Sequence, residues 1–227
     1  MIQNNENMVQ RKVCAIIPAY NEEKYLAEVI SETKKYVDSV IVVDDGSLDK
    51  TAIIASNEAD HFLKHPVNSG KGVALQTGFL YAQKLDFDVI ITIDADLQHD
   101  PARIPEFLKV LDEKKADIII GARGLGKSAP IVYRFGNFVL NTTFSILYGQ
   151  KITDTQSGYR AFLIKSYPHF VWQSSGYDVE TEMLTNARKH GLVLAEIPIA
   201  TKYHNSYKGT TIFDGVKIFC KMLLWRV

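Results

Sequence analysis

The sequence has few cysteines, no excess of charge of either sign and no established phosphate-binding or zinc-protease motif. Two cysteines among 227 residues, Cys14 and Cys220, are too few for a disulfide framework or a structural zinc site, so a reducing compartment is expected. Lysine plus arginine and aspartate plus glutamate both number 26, which argues against a general nucleic-acid-binding protein. The missing Walker, GxGxxG and HExxH patterns exclude the usual ATPase, dinucleotide-binding and zinc-protease designs.

Long apolar runs are also missing. The N-terminal stretch MIQNNENMVQRK is polar, so we expect no secretory signal. Arg134 interrupts the apolar residues 130–149, and Lys217 and Lys221 interrupt the C-terminal segment. None of these runs reaches the roughly 20 apolar residues that a membrane helix needs. The sequence therefore predicts a cytoplasmic protein that does not cross a membrane.

The C-terminal segment, residues 200–227, differs in composition from the rest. Its only acidic residue is Asp214, and its basic residues are Lys202, Lys208, Lys217, Lys221 and Arg226. They alternate with apolar and aromatic residues, a mixture typical of a helix that lies on an anionic membrane surface. A terminal helix that docks on its own domain would give the same pattern, and both interpretations stay open.

Short β-branched runs alternate with stretches of helical periodicity along the first half of the chain. The predicted strands are Val13–Ile17, Val40–Val43, His61–Lys64, Val89–Ile93, Asp117–Ile120, Ala161–Ile164 and Val193–Ile197. The predicted helices are Asn21–Val37, Thr51–Glu58, Gly70–Leu85, Pro101–Leu111, Ile131–Tyr148 and Asp178–His190. This alternation predicts a mostly parallel α/β sheet flanked by helices. Because no linker composition separates the halves, residues 1–227 are expected to form one domain.

Acidic and polar side chains follow the predicted strands at their carboxyl ends, where ligands of parallel sheets gather. Asp94, Asp96 and Gln98 directly follow a strand, and the pleat sends alternate side chains the same way. Carboxylate and amide oxygens are hard ligands that select Mg²⁺ or Mn²⁺. A solvated acidic turn would explain an isolated pair of this kind, but not its position beside two other polar loops.

The second acidic loop is DDGSLD, residues 44–49. A carboxylate such as Asp45 can accept a nucleobase N–H, while Ser47 or Asp49 is expected to cap the following helix. The glycine-rich NSGKG, residues 68–72, is too short for a P-loop, but its Lys71 can approach a phosphate.

Six motifs in order carry a family resemblance over roughly residues 12–207. They are PAYNE (18–22), VVDDGSLD (42–49), NSGKG (68–72), DADLQHD (94–100), GAR (121–123) and DTQSGYRAF (154–162). Together they resemble family 2 glycosyltransferases of the GT-A fold. Within that family the chain looks most like the polyprenyl-phosphate hexosyltransferases, the dolichyl-phosphate mannose synthase group.

The resemblance implies roles for individual residues. Those expected to bind the GDP- or UDP-hexose are Pro18, Tyr20, Glu22, Asp45, Lys71, Asp94, Ala95 and Arg160. Those expected at the metal are Asp94, Asp96 and Gln98. Arg123 and Arg134 match basic residues that face an acceptor phosphate, and Asp154 and Arg160 match the loop beside the sugar.

The implied reaction is inverting, metal-dependent transfer of a hexose to a polyprenyl phosphate at the cytoplasmic face of a membrane. An acceptor phosphate is already anionic and needs positive charge from Arg123 and Arg134; Asp96 would hold the metal at the leaving diphosphate. A hydroxyl acceptor would need a general base, for which Asp154 is the candidate.

One departure from the family pattern concerns residues 203–211, YHNSYKGTT. The polyprenyl-phosphate mannose synthases usually carry an arginine there, and here only Lys202 or Lys208 can substitute. The sequence therefore leaves open the nucleotide, the hexose and a glycan or other hydroxyl acceptor. A non-catalytic sugar-nucleotide-binding protein remains a further alternative, disfavoured because the metal carboxylates and phosphate arginines are all present.

Overall fold

A computed structural model describes residues 11–124, 131–201 and 212–226, with the side chains of 131–134 and 212–213 outside the description. Its strands are β1 (Val13–Ala19), β2 (Ser39–Asp44), β3 (His61–Lys64), β4 (Val89–Thr92), β5 (Ile118–Arg123), β6 (Arg160–Leu163) and β7 (Leu194–Ile199). Its α-helices are α1 (Leu26–Thr33), α2 (Thr51–Glu58), α3 (Lys71–Lys84), α4 (Ile104–Glu113), α5 (Ile131–Tyr148), α6 (Val179–Lys189) and α7 (Ile212–Trp225). Two 3-10 helices span Pro101–Arg103 and Ile164–His169.

The seven strands form one sheet in the order β3-β2-β1-β4-β6-β5-β7. All neighbouring pairs are parallel except those of β6, which runs antiparallel to both β4 and β5. The expected α/β architecture with a mostly parallel sheet is therefore confirmed. The register pairs Ala19 with Asp44 and Ile16 with Thr92, so the carboxyl ends of β1, β2 and β4 meet at one edge.

The central strands are buried on both faces, as their apolar sequences predict. On one face α3, α5, α6 and α7 cover a cluster centred on Phe79, which makes edge contacts with Phe162 and Trp172. On the other face α1 and α4 cover a second cluster, in which Phe107 packs on Tyr159. The two layers hold the strands rigidly, so the loops at the carboxyl edge start from fixed positions.

The helix starts show how local sequence sets these bounds. The carboxylate of Asp49 accepts the backbone N–H of Thr51, the first residue of α2, at 2.9 Å. Of the two expected candidates, Ser47 or Asp49, it is Asp49 that bonds the helix start, while the Ser47 hydroxyl accepts the backbone N–H of Asn21 at 2.9 Å. Pro101 opens the first 3-10 helix, where Asp100 accepts the N–H of the second residue.

The C-terminal helix α7 docks on the domain through α5 and α6. Ile218 and Met222 are fully buried, and the Tyr148 hydroxyl donates to the Met222 carbonyl at 2.9 Å. Lys202 and Lys208 lie outside the described residues. Among the described helices, none is long and apolar enough to cross a membrane.

Candidate functional site

A cleft of about 720 Å³ opens at the carboxyl edge of the sheet. Its lining residues are Pro18, Ala19, Tyr20, Asn21, Glu22, Asp45, Asn68, Gly70, Lys71, Ala74, Asp94, Ala95, Asp96, Gly176 and Tyr177. Of the residues expected to bind the sugar nucleotide, all except Arg160 are in this set. Gln98, Arg123, Asp154 and Arg160 are not.

The loop after β1 forms one side of the cleft and is fixed by bonds to the loop after β2. The Asn21 side chain accepts the N–H of Leu48 at 2.9 Å, and the Thr51 hydroxyl accepts the N–H of Glu22 at 2.8 Å. Asn21 adopts the left-handed conformation, with φ at 54°, which asparagine tolerates better than most residues. This turn leaves the Tyr20 side chain 39% exposed at the mouth of the cleft, where an aromatic ring can stack on a base.

The buried carboxylate of Asp45 organises the opposite loop. It accepts the backbone N–H of Ser69 at 2.9 Å and that of Gly70 at 2.7 Å. It also pairs with His65 Nδ1 at 2.7 Å. A carboxylate has about four acceptor positions, so three are used within the protein. Asp45 therefore shapes the wall of the cleft in addition to any contact with a base.

The glycines of NSGKG allow this loop to pack against the loop before α6. A Cβ on Gly72 would lie 2.0 Å from the Ser174 carbonyl oxygen, and one on Gly70 would lie 2.3 Å from that of Ser175. The Gly72 N–H donates to the Ser175 carbonyl at 2.7 Å. Two backbones approach too closely here for any side chain, which explains the glycine-rich composition.

Lys71, the first residue of α3, lies between two carboxylates. Its Nζ is 2.6 Å from Asp94 Oδ1 and 2.8 Å from Glu180 Oε1. Burial disfavours the charged lysine, but Asp94 and Glu180 outweigh burial and raise its pKa. Burial likewise opposes ionisation of Asp94, and Lys71 outweighs it, so the pKa of Asp94 is lowered. The cleft thus holds a permanent ammonium beside an ionised Asp94.

Sequence reasoning missed Glu180. Its side chain is 3% exposed, and its second oxygen, Oε2, is buried with no hydrogen-bond partner among the described residues. The residue falls in a predicted helix that looks like an ordinary amphipathic segment. The available signal was the recurrence of glutamate among mostly apolar residues in VETEML, residues 179–184. Its partner Lys71 is distant in sequence, which is why periodicity did not reveal the contact.

Asp96 also lines the cleft, and it forms no ion pair with a lysine or arginine of the described residues. Its oxygens accept the backbone N–H of Gln98 at 3.1 Å and the side-chain amide at 2.7 Å. Burial and the negative charge of Asp94 raise the pKa of Asp96 to about 6. A carboxylate with such an unfavourable charge is stabilised by binding a cation.

The described residues contain no cluster of three or more histidine, cysteine, aspartate or glutamate side chains arranged to hold a metal. This donor set fits Mg²⁺ or Mn²⁺ nevertheless, since Mg²⁺ is commonly bound by one or two carboxylates together with substrate phosphates and water. Asp96 is the residue best placed to hold such an ion, with Asp94 beside it. Gln98 faces Asp96 through its amide nitrogen, so it orients that carboxylate in this arrangement.

Arg160 differs in position from the expectation that it lies beside the sugar. Its side chain is 1% exposed and donates to the carbonyls of Ser157, Thr155 and Glu180 at 2.7–2.9 Å. Burial lowers its pKa to about 10. The guanidinium therefore joins the DTQSGYR loop to the start of α6 from beneath, and supports the site without lining the cleft.

His99 occupies the same buried layer. Burial lowers its pKa to about 4, and its ring lies 5.2 Å from that of Tyr159. It is therefore a neutral packing group at physiological pH.

Arg123 and Asp154 form a bidentate pair at the end of β5. Arg123 Nε and Nη2 lie 2.7 and 3.0 Å from the two oxygens of Asp154. Asp154 also accepts the backbone N–H groups of Arg123 at 3.0 Å and Gln156 at 3.2 Å. The carboxylate is 1% exposed and its four acceptor positions are engaged, which leaves it poorly suited to take a proton from a substrate.

A second cavity of about 470 Å³ adjoins this pair. Its lining residues are Ala122, Arg123, Gly124, Thr153, Glu196 and Pro198. Glu196 accepts the backbone N–H of Thr153 at 2.8 Å and braces the start of the DTQSGYR loop. The backbone of Arg134 belongs to the first turn of α5, but its side chain lies outside the described residues.

Comparisons with known proteins agree with the order of these motifs. The profile of glycosyl transferase family 2 matches residues 14–169. The UDP-N-acetylglucosamine–dolichyl-phosphate N-acetylglucosaminyltransferase of Methanococcus voltae is 31% identical, over 97% of this chain and 98% of its own length. The undecaprenyl-phosphate mannosyltransferase of Micrococcus luteus is 28% identical, over 83% and 82%.

Among solved structures, glucosyl-3-phosphoglycerate synthase from Mycobacterium tuberculosis superposes with a TM-score of 0.77 at 20% identity. The match covers 95% of this chain and 80% of that one, in a complex with Mn²⁺, UDP-glucose and phosphoglyceric acid. At this identity the likeness establishes the fold, and the expected GT-A architecture is confirmed. The profile match covers well over half of the sequence. The chain therefore belongs to glycosyl transferase family 2 and is a glycosyltransferase.

Proposed function

We propose that this glycosyltransferase moves a hexose from a nucleoside-diphosphate sugar to a polyprenyl phosphate, with inversion at the anomeric carbon. The observation that carries the proposal is the pairing of two sites at one sheet edge. A cleft with Lys71 and Asp96 suits a diphosphate and its metal, and the Arg123–Asp154 pair borders a second cavity. The relatives named for dolichyl and undecaprenyl phosphate support the same acceptor class.

The donor occupies the larger cleft in this proposal. Tyr20 stacks on the base, while Pro18, Glu22 and Asp45 border the nucleoside. Lys71 supplies a fixed positive charge to the diphosphate, because its two carboxylate partners keep it protonated. Asp94 and Ala95 lie along the diphosphate.

Asp96, with help from Asp94, would hold Mg²⁺ or Mn²⁺, which would supply positive charge for the departing diphosphate. The protein's own contribution is to fix these carboxylates. Lys71 holds Asp94, and Gln98 holds Asp96.

The state of Asp154 favours a phosphate acceptor over a hydroxyl. A hydroxyl nucleophile needs a base, and all four acceptor positions of Asp154 are already used. A phosphate carries its own negative charge and needs cations that bring two anions together. Arg123, oriented by Asp154, and Arg134 on α5 supply that charge.

The polyprenyl chain implies contact with a membrane, and we assign this contact to α5 and α7 at the cytoplasmic face. Their outward apolar side chains are Phe135, Phe138, Ile146, Val216, Leu223 and Leu224. We call these six residues the α5/α7 apolar patch. Exposed apolar groups beside a basic helix are typical of proteins that rest on anionic membranes.

The alternative acceptor is a hydroxyl compound. It is kept because the structurally similar synthase was solved with phosphoglyceric acid. In that case Asp154 would have to leave Arg123 and serve as the base.

A transfer assay with matched acceptors separates the two candidates. Radiolabelled UDP- and GDP-hexoses are offered with Mn²⁺ and either a polyprenyl phosphate or the same polyprenol without phosphate. We expect label in the lipid only with the phosphate, and its appearance in the free polyprenol would contradict the proposal.

A further inference from the structure

The loop of residues 173–178 forms a wall of the donor cleft that sequence reasoning did not identify. Gly176 and Tyr177 line the cleft directly. The backbone of this loop is joined to the start of α3, since the Ser175 carbonyl accepts the N–H of Gly72. Trp172, immediately before the loop, donates its indole N–H to the Gly72 carbonyl at 2.9 Å. A shift of this loop would therefore move both the wall and the residue next to Lys71.

Two buried carboxylates hold the loop from the side of α6. Glu182 accepts the backbone N–H groups of Gln173 and Ser174, both at 2.9 Å. Asp178 accepts the Ser174 hydroxyl at 2.8 Å. A buried carboxylate is costly unless a cation or several donors compensate it.

The cation for Asp178 comes from the C-terminal helix. Lys221 on α7 forms an ion pair with Asp178 Oδ2 and lies 3.4 Å from the Ser174 hydroxyl. The Asp178 side chain is 4% exposed and that of Lys221 is 32% exposed. Burial opposes ionisation of Asp178, but the bond from Lys221 prevails and its pKa is lowered. The pair is thus a partly desolvated contact between α7 and the cleft wall.

Packing fixes the position from which Lys221 reaches the loop. Ile218 and Met222, which flank it on the helix, are fully buried. The bond from Tyr148 to the Met222 carbonyl ties the same turn to α5.

We propose that Lys221 is a positioning residue for the sugar-nucleotide donor, acting from α7 through Asp178 on the loop that walls the cleft. The inference rests on the proposed function, because it takes the cleft to be the donor site. Without Lys221, Asp178 becomes a buried charge with no ion-pair partner among the described residues, and the loop shifts or hydrates to relieve it. The chemistry at the anomeric carbon is unaffected once the donor is bound.

The test compares Lys221→Met with Lys189→Met, which removes an exposed lysine at the far end of α6. Binding of UDP and GDP is measured by calorimetry with Mn²⁺, and kcat is measured at saturating donor. We expect Lys221→Met to weaken binding of the nucleotide that the wild type binds by about tenfold, within the usual range of coupling between sites. Its kcat stays within about twofold of wild type, and Lys189→Met changes neither quantity.

Rescue and a double-mutant cycle complete the design. Lys221→Arg restores binding, and Lys221→Gln gives an intermediate affinity that serves if the Met variant does not fold. Combining Lys221→Met with Asp178→Asn weakens binding no further than Lys221→Met alone, because both remove one contact. Unchanged nucleotide affinity in Lys221→Met, a loss in kcat alone, or additive losses in the double variant would each overturn the inference. If the wild type binds a nucleotide but the variants behave in one of these ways, only the inference fails and the proposed function stands. If the wild type binds neither UDP nor GDP, both the inference and the proposed function are overturned.

Discussion

The proposed donor side, around the cleft, and the proposed acceptor side, at α5, are packed differently. On the donor side, the loops after β1 and β2 and the loop before α3 are joined by side-chain bonds to backbone N–H groups, as at Asp45. Backbones approach so closely there that a Cβ on Gly72 would overlap a carbonyl. On the acceptor side, a Cβ on Gly136 of α5 meets no atom of the described residues within 4 Å.

This contrast indicates where residues around the proposed substrate sites can change with little loss of stability. The closely joined loops of the proposed donor cleft leave little room for substitution, because a change at Asp45 or Gly72 would disturb more than one loop. At Gly136 of α5 an added side chain meets open space among the described residues, so we expect substitutions there to cost less stability.

Asp96→Asn should have the largest effect, on the donor side. The amide cannot supply the negative charge that holds the metal, and metal stabilisation of a leaving group is worth several kcal/mol. We expect transfer to fall by at least about a hundredfold in a radiolabel assay. Full wild-type turnover, or turnover of the wild type in EDTA, would remove Asp96 from the metal site.

The same variant should be more stable than the wild type without metal, because the pKa of Asp96 rises on folding from 3.8 to about 6. Folded protein holds this proton more tightly than the unfolded chain, so ionisation costs stability as pH rises through that window. At pH 7.5 in EDTA we expect Asp96→Asn to gain on the order of 1 kcal/mol, allowing for solvent screening. Below pH 4 the gain disappears, and thermal melts at both pH values check it.

Arg134→Ala tests the acceptor side. If it faces an acceptor phosphate, removing one partner of a charge-assisted pair costs on the order of 2–5 kcal/mol, so transfer to polyprenyl phosphate falls by at least about 30-fold. Hydrolysis of the donor by water stays near wild type. Arg11→Ala, which removes a surface ion pair with Asp112, is the matched control.

If Arg134→Ala lowered transfer and hydrolysis equally, Arg134 would act on the donor and not on the acceptor. The severity of Asp154→Asn does not separate the two acceptors, because this variant also weakens the pair that orients Arg123.

Glu180→Gln should give an intermediate effect on donor binding. It removes one of the two carboxylates that keep Lys71 charged and in place, while the amide keeps the shape of the side chain. We expect nucleoside-diphosphate affinity to fall on the order of tenfold by calorimetry, as for loss of a hydrogen bond to a charged group. An unchanged dissociation constant would mean that Asp94 alone positions Lys71.

The smallest effect is a difference in stability between two glycine substitutions. Gly72→Ala forces the backbones apart and should cost about 1–3 kcal/mol, as overpacking does. Gly136→Ala adds a methyl group to open space in a helix and should stabilise by about 0.5–1 kcal/mol. Urea unfolding of both variants measures the contrast, and similar losses would show that both sides are equally tight.

The sequence predicted most elements of the donor side, because local signals and parallel pairing determine them. Thr51–Glu58 and His61–Lys64 have the predicted bounds, and the residues expected to bind the sugar nucleotide, except Arg160, meet in the cleft. The alternating pattern alone did not place β6 antiparallel between β4 and β5. β6 has only four residues, and nothing in so short a strand indicates whether it runs parallel or antiparallel to its neighbours.

What remained hidden depends on contacts between distant residues. Arg160 was expected beside the sugar, but its buried bonds to carbonyls cannot be inferred from the loop motif. Glu180 and Lys221 each looked like ordinary helix positions, since their partners Lys71 and Asp178 lie elsewhere in the chain. Charge partners across a fold have no periodicity, and only the structure reveals them.

The central claim is that the hexose ends on a phosphate with inverted configuration. Its most direct test is ³¹P and ¹H NMR of the product formed from an α-linked nucleotide sugar and a short-chain polyprenyl phosphate. The account predicts a phosphodiester signal coupled to a β-anomeric proton. A glycoside without phosphorus coupling, or an α-anomer, would contradict it.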